Sequence, residues 1–138
     1  MPRDLKVLIV EDSDLQADVL ESILADLGID KVTKAVNGVH ALKYYEEALR
    51  NGAPYSLVFL DIVMPEMDGQ EALKQMRVLE KAAGIGKNDR ATIIMITSLS
   101  SPADMITALI EGDCTDYVVK PVAESILRIM LVKYGFIE

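Results

Sequence analysis

Five short apolar runs separated by longer stretches of helical period constrain this chain more than any other feature. The runs are Val7-Leu8-Ile9-Val10, residues 32–36, Leu57-Val58-Phe59-Leu60, Ile93-Ile94-Met95-Ile96 and Tyr117-Val118-Val119. Strands that alternate with helices pair in parallel, and the helices then cover both faces of the sheet. Four of the runs are almost continuously hydrophobic, as strands buried on both faces must be. Val32-Thr33-Lys34-Ala35-Val36 interleaves polar residues and is the best edge-strand candidate. The fold class is therefore α/β, a doubly wound five-stranded parallel sheet.

The connecting segments carry their own punctuation. A first helix begins at Ser13, with Gln16 placed so that the two cap each other's free amides; Leu20, Ile23, Leu24 and Leu27 form its apolar face, and Gly28 stops it. A second runs over 38–51, with Ala41, Leu42, Tyr45 and Leu49 inward and Gly52 as the left-handed residue at its end. Tyr44 and Tyr45 are adjacent on this helix and face differently, one of them inward. Asp68 and Glu71 suit the start of a third helix through Leu73, Met76 and Leu79, followed by a loop over 83–90. Ser101 caps a fourth helix, with Pro102 in its first turn, Met105, Ile106, Leu109 and Ile110 on its apolar side, and Gly112 at its close. A fifth, over 123–133, carries Ile126, Leu127, Ile129, Met130 and Leu131.

Composition excludes several classes. With 22 acidic against 14 basic side chains and a net charge of −8, the chain repels phosphate backbones, which disfavours direct DNA binding. No apolar stretch reaches the roughly 20 residues needed to cross a bilayer, and residues 5–10 are too short for a signal peptide. The single cysteine, Cys114, makes no internal disulfide, and the expected location is cytoplasmic. Cys114 reads as a small buried residue, His40 as a helix-surface residue and the seven methionines as core filler.

Doubly wound sheets bind ligands beyond the carboxyl ends of their strands, so the strand exits matter most. The first run ends in Glu11-Asp12, the third in Asp61, the fourth in Thr97-Ser98 and the fifth in Lys120-Pro121. Three carboxylates, a hydroxyl and an ammonium thus converge on one edge from distant parts of the chain. Clustered carboxylates need a compensating cation, and an all-oxygen donor set suits Mg2+, which also accepts phosphate oxygens. Asp61 is then placed as a nucleophile toward a phosphoryl group, Lys120 neutralises charge on the transferring group, and the Thr97 hydroxyl donates to a phosphoryl oxygen. Individually each residue has a plain alternative: Asp61 or Asp12 as a cap, Thr97 in a loop hydrogen bond, Lys120 at the surface. Asp61 is followed by Ile62-Val63-Met64-Pro65 before any helix starts, which weakens the capping alternative, and the joint placement favours function.

Glu11-Asp12-Ser13, Asp61 through Gly69, Thr97-Ser98 and Tyr117-Val118-Val119-Lys120-Pro121 together resemble the receiver domain of bacterial two-component response regulators, of the single-domain chemotaxis-regulator-like type. The resemblance covers essentially the whole chain. It implies a flavodoxin-like (βα)5 fold with strand order 2-1-3-4-5, one receiver domain over 1–138 and no output domain. It implies Asp61 as the phosphoacceptor, Mg2+ held by Glu11, Asp12, Asp61 and the Val63 carbonyl, and Lys120 on the phosphoryl oxygen. Thr97 and Tyr117 would form the switch, Tyr117 turning from exposed to buried, with a cis Lys120-Pro121 peptide bond. The implied donor is a sensor histidine kinase or phosphotransfer protein, and the implied target a protein read by the face built from the fourth helix, fifth strand and fifth helix. Such a domain catalyses only its own phosphoryl transfer and hydrolysis.

Three departures from the family pattern stand out. Glu11 occupies a position where aspartate is more usual, and Val63 and Leu99 place apolar groups where side chains influence phosphoryl lifetime, which predicts slow hydrolysis. The segment Gly112-Asp113-Cys114-Thr115-Asp116 is one residue longer than usual before the switch aromatic. Three other readings compete. A small Mg2+-dependent aspartyl phosphatase would need a proton-transferring Asp where Val63 stands, and a flavin carrier would need a glycine- and hydroxyl-rich loop where Glu11-Asp12-Ser13-Asp14 stands. A constitutive protein-binding receiver scaffold is disfavoured by the intact Asp61, Thr97 and Lys120.

Overall fold

The computed structural model describes residues 5–64, 66–98, 103 and 106–138. Its elements follow in the order β1 (Val7–Val10), α1 (Asp14–Asp26), β2 (Val32–Ala35), α2 (Gly38–Arg50), β3 (Leu57–Asp61), α3 (Gly69–Ala82) and β4 (Thr92–Thr97), then a fourth helical segment α4 (Thr107–Glu111), β5 (Asp116–Val119) and α5 (Glu124–Lys133). The strands form one parallel sheet in the order β2-β1-β3-β4-β5. The interleaved second run is indeed an edge strand.

Strand side chains alternate between two apolar layers, as the period of two requires. Leu8, Val10, Val58, Leu60, Ile93 and Met95 point toward α2, α3 and α4. Val7, Ile9, Leu57, Phe59, Ile94 and Ile96 point toward α1 and α5. Complete burial on both faces explains why three of the central runs contain no polar residue. Tyr45 is inward and Tyr44 exposed, while Asn37 and Asp68 cap α2 and α3 by accepting the amides of His40 and Glu71, both at 2.9 Å.

Four local expectations need correction. At the start of α1, Ser13 Oγ accepts the Gln16 amide at 3.3 Å, but the reciprocal half of the box is absent: the Ser13 amide donates to Glu11 Oε1 at 3.2 Å, and the Gln16 side chain turns elsewhere. Thr107–Glu111 is wound with a π-helical turn rather than an α-helical one, the Gly112 amide reaching the Thr107 carbonyl at 3.0 Å. Ala108, not Ile106, Leu109 or Ile110, faces the core there, and the three larger residues are exposed. Gly112 lies against α3: a Cβ there would stand 2.4 Å from Leu73 Cδ2, so a larger residue would have to displace that side chain. Ser101, Pro102 and Met105 lie outside the described residues. On α5, Leu127, Met130 and Leu131 are buried, whereas Ile126 and Ile129 face outward, since a single helix face accommodates only part of so apolar a stretch.

The lengthened segment before β5 is firmly anchored. Asp113 adopts φ 59° and its carboxylate receives both terminal nitrogens of Arg90, which holds its pKa below the ordinary range; Arg77 Nε donates to the Asp113 carbonyl at 2.9 Å. Among the described residues, no helix is long and apolar enough to cross a membrane.

Candidate functional site

Because β1 and β3 are parallel neighbours with Val10 opposite Leu60, the residues that follow these strands lie side by side. Glu11 and Asp61 are buried and Asp12 is exposed, and a carboxylate oxygen from each lies within 4.8 Å of the other two. Lys120, arriving from the end of β5, places Nζ 2.9 Å from Glu11 Oε2 and 3.1 Å from Asp61 Oδ2. Its third partner is Gln16 Oε1, from the first turn of α1. Burial works against the Lys120 ammonium, but its hydrogen bonds to Glu11 and Asp61 outweigh that and raise its pKa above the ordinary value. The ammonium is the counter-ion of the cluster.

The backbone fixes the acceptor carboxylate. The Val63 amide donates to Asp61 Oδ1 at 3.1 Å, the Ile62 amide to the Ile96 carbonyl at 3.1 Å and the Gly69 amide to the Ile62 carbonyl at 2.8 Å. A Cβ at Gly69 would stand 2.1 Å from the Asp61 carbonyl oxygen, so α3 starts in direct backbone contact with the residue that ends β3, and only glycine permits this. Thr97 is fully buried at the end of β4, and its carbonyl accepts the Lys120 amide at 2.8 Å. The Lys120-Pro121 peptide bond is cis, as expected. Tyr117 is half-buried and packs against the layer that contains Leu73 and Ala108.

Three carboxylates facing one ammonium leave an excess of negative charge in a half-buried recess, and every donor is an oxygen. That donor set fits a small hard divalent cation such as Mg2+. Beside it opens a cleft of about 490 Å3 whose walls include Leu15, Val19, Ile23 and Ile96 and whose polar lining is Glu11, Gln16, Ser98 and Lys120. Elsewhere, His40 is exposed on α2, and Cys114 is buried, which pushes its thiol up to about 11 and keeps it a protonated small residue.

The sequence reading missed two features. The i+3 spacing of Gln16 from Ser13 suggests a cap, but it also places the side chain above the strand exits, where it meets Lys120. Glu80 continues the spacing of Leu73 and Met76 on the inward face of α3, the one available sign that this carboxylate is buried. It accepts from Tyr45 Oη at 2.6 Å, Arg77 Nη1 at 2.8 Å and the Ala91 amide at 2.8 Å.

The response regulator receiver domain family matches residues 7–132. The chain belongs to this family. Its receiver fold is 34% identical over 117 residues to the chemotaxis protein CheY of Listeria monocytogenes, covering 85% of this chain and 87% of that protein. It is 34% identical over 134 residues to the hybrid signal transduction histidine kinase G of Dictyostelium discoideum, where it covers 96% of this chain but spans only 4% of the relative's length. Among solved structures, the Saccharomyces cerevisiae Ssk1 receiver domain, crystallised with the histidine phosphotransfer protein Ypd1, superposes with a TM-score of 0.81 at 33% identity, covering 98% of this chain and 91% of that one. The receiver domain of the Arabidopsis thaliana histidine kinase CKI1, complexed with Mg2+ and BeF3−, gives 0.80 at 26% identity over 96% and 91%. This receiver is therefore a regulatory domain of two-component signalling, similar to the chemotaxis regulators.

Proposed function

We propose that this receiver is a phosphorylation-dependent switch that takes a phosphoryl group onto Asp61 from a phosphohistidine of a sensor kinase or phosphotransfer protein in the cytoplasm. The observation that carries the reading is Lys120 Nζ shared between Glu11 and Asp61 at the convergence of three carboxylates. In the transfer, an Asp61 carboxylate oxygen forms the new bond to phosphorus as the phosphorus–nitrogen bond breaks, the electron pair staying on the imidazole. Glu11, Asp12, Asp61 and the Val63 carbonyl would hold Mg2+, which when bound supplies the positive charge that offsets the phosphoryl oxygens. Lys120 exchanges its bond to Asp61 for one to a phosphoryl oxygen. Thr97, already buried beside the site, donates its hydroxyl to another, and Tyr117 follows it inward.

The test uses the whole chain with acetyl phosphate, read by intact mass. One phosphoryl group is expected in the presence of Mg2+ and none after chelation. No gain under either condition overturns the phosphoacceptor reading and leaves the constitutive scaffold.

A phosphohistidine reaches Asp61 only if its carrier covers the mouth of the cleft, where Leu15 and Val19 of α1 are 74% and 51% exposed. That apolar pair is the donor's contact. Charging it in a Leu15→Glu/Val19→Glu variant is expected to slow phosphoryl transfer from a phosphotransfer protein by roughly tenfold or more while uptake from acetyl phosphate is unchanged. Equal rates from the protein donor would place its contact elsewhere.

The changed state is read on the face of α4, β5 and α5, where Ile110, Val119, Ile126, Ile129 and Val132 are all exposed. Val63, exposed two residues after Asp61, offers no polar group to orient an attacking water. Val63→Asn is therefore expected to shorten the phosphoryl half-life several-fold, measured as loss of the phosphorylated mass after donor removal. An unchanged half-life removes Val63 as a determinant. Leu99, the other apolar position of this pair, lies outside the described residues.

A further inference from the structure

We infer that Gln16 is a positioning residue for Lys120, an assignment that rests on the phosphoacceptor reading above. An ammonium carries three hydrogens, and Lys120 has three acceptors: Glu11 Oε2 at 2.9 Å, Asp61 Oδ2 at 3.1 Å and Gln16 Oε1. Two of these are charged members of the carboxylate cluster. The third is a neutral amide from a different element, and it alone ties the lysine to α1.

Gln16 is free for this task because Glu11 does the capping its spacing suggested. Glu11 Oε1 accepts the Ser13 amide while Glu11 Oε2 accepts Lys120, so one carboxylate serves the helix start and the lysine together. The longer side chain of glutamate spans both partners. The Gln16 carboxamide is thereby released from the Ser13 amide and turned toward the strand exits.

The consequence concerns what happens to Lys120 as Asp61 is phosphorylated. Held only by Glu11 and Asp61, the ammonium would keep a single fixed bond, to Glu11, when an Asp61 oxygen becomes part of an acyl phosphate. Anchored also by Gln16, it swaps a single partner, Asp61 Oδ2 for a phosphoryl oxygen, while two bonds keep Nζ in place. Gln16 thus lowers the reorganisation required in the transfer step rather than the affinity for the donor. A neutral acceptor is suited to this, because a third carboxylate on Lys120 would draw it away from the phosphoryl group.

The test compares wild type with Gln16→Leu and Gln16→Glu. In the metal-free 15N-labelled chain, the 1H–15N correlation of the Lys120 ammonium is expected in wild type and in Gln16→Glu, which keeps an acceptor, and is expected to vanish in Gln16→Leu. With acetyl phosphate and Mg2+, Gln16→Leu should lower the maximal rate of phosphoryl uptake roughly three- to tenfold, the loss for one partly exposed hydrogen bond to a charged group, with the half-saturating donor concentration unchanged. An unaltered Lys120 correlation in Gln16→Leu overturns the inference whatever the rate does, as does a change confined to donor half-saturation. Failure of the wild type to take up a phosphoryl group would sink the phosphoacceptor reading instead, and the metal-free correlation would still decide whether Gln16 holds Lys120.

Discussion

Asp61→Asn is expected to eliminate phosphoryl uptake from acetyl phosphate, with no mass gain at any Mg2+ concentration, while the folded domain remains intact. A neutral carboxamide is not a competent nucleophile toward phosphorus, whereas the rest of the site survives the substitution: the Asn oxygen can still accept the Val63 amide that now meets Asp61 Oδ1 at 3.1 Å. Charge argues the stability side. Glu11, Asp12 and Asp61 bring three carboxylates within 4.8 Å around the single Lys120 ammonium, so removing one negative charge relieves more repulsion than the lost pairing costs. The metal-free variant should therefore melt no lower than metal-free wild type, and added Mg2+ should raise its melting temperature less. Thermal unfolding with and without Mg2+ checks both statements. Retained uptake in Asp61→Asn would move the phosphorylated residue elsewhere, whereas a variant that melts well below wild type would contradict the repulsion argument.

The parallel sheet and the position of its edge were legible because burial on both faces leaves an unmistakable mark: runs such as Val7-Leu8-Ile9-Val10 contain no polar residue to satisfy, whereas the strand order came only with the resemblance to receiver domains. The convergence of Glu11, Asp61, Thr97 and Lys120 was legible for a related reason. Glu11, Asp61, Thr97 and Lys120 interrupt apolar runs at their carboxyl ends, and a parallel sheet gathers those ends on one edge. What was not legible depends on tertiary neighbours. The π turn over Thr107–Glu111 ends where Gly112 meets the Leu73 side chain of α3, and no local propensity encodes that contact. The Gln16 side chain had two partners within reach, the Ser13 amide and the Lys120 ammonium. Which one wins depends on Glu11, whose second oxygen reaches Ser13.

The same limit hid Glu80, whose environment yields the largest stability effect expected in the chain. This carboxylate is 3% exposed and lies near the amino ends of the strands, away from Asp61, among Tyr45 on α2, Arg77 on α3 and the Ala91 amide ahead of β4. Burial and the neighbouring Glu80 push the Tyr45 phenol far above its ordinary pKa, so it remains a hydrogen-bond donor to the carboxylate. Arg77 supplies the only cation bonded to Glu80 among the described residues and also donates to the Ala91 carbonyl at 3.0 Å and the Asp113 carbonyl at 2.9 Å. Arg77→Ala removes the counter-ion and leaves a buried charge uncompensated, which is expected to cost about 3–5 kcal/mol in urea unfolding. Glu80→Leu leaves the guanidinium its two carbonyl acceptors and should cost less. The Arg77→Met/Glu80→Leu double variant, with no charge left to satisfy, should recover much of the Arg77→Ala loss. Additive losses in that cycle would mean that the two side chains act independently and that packing, not charge compensation, holds α3 against β4. Whichever way stability moves, the folded fraction of each variant should take up phosphoryl groups at the wild-type rate, because no member of this network touches Glu11, Asp61 or Lys120.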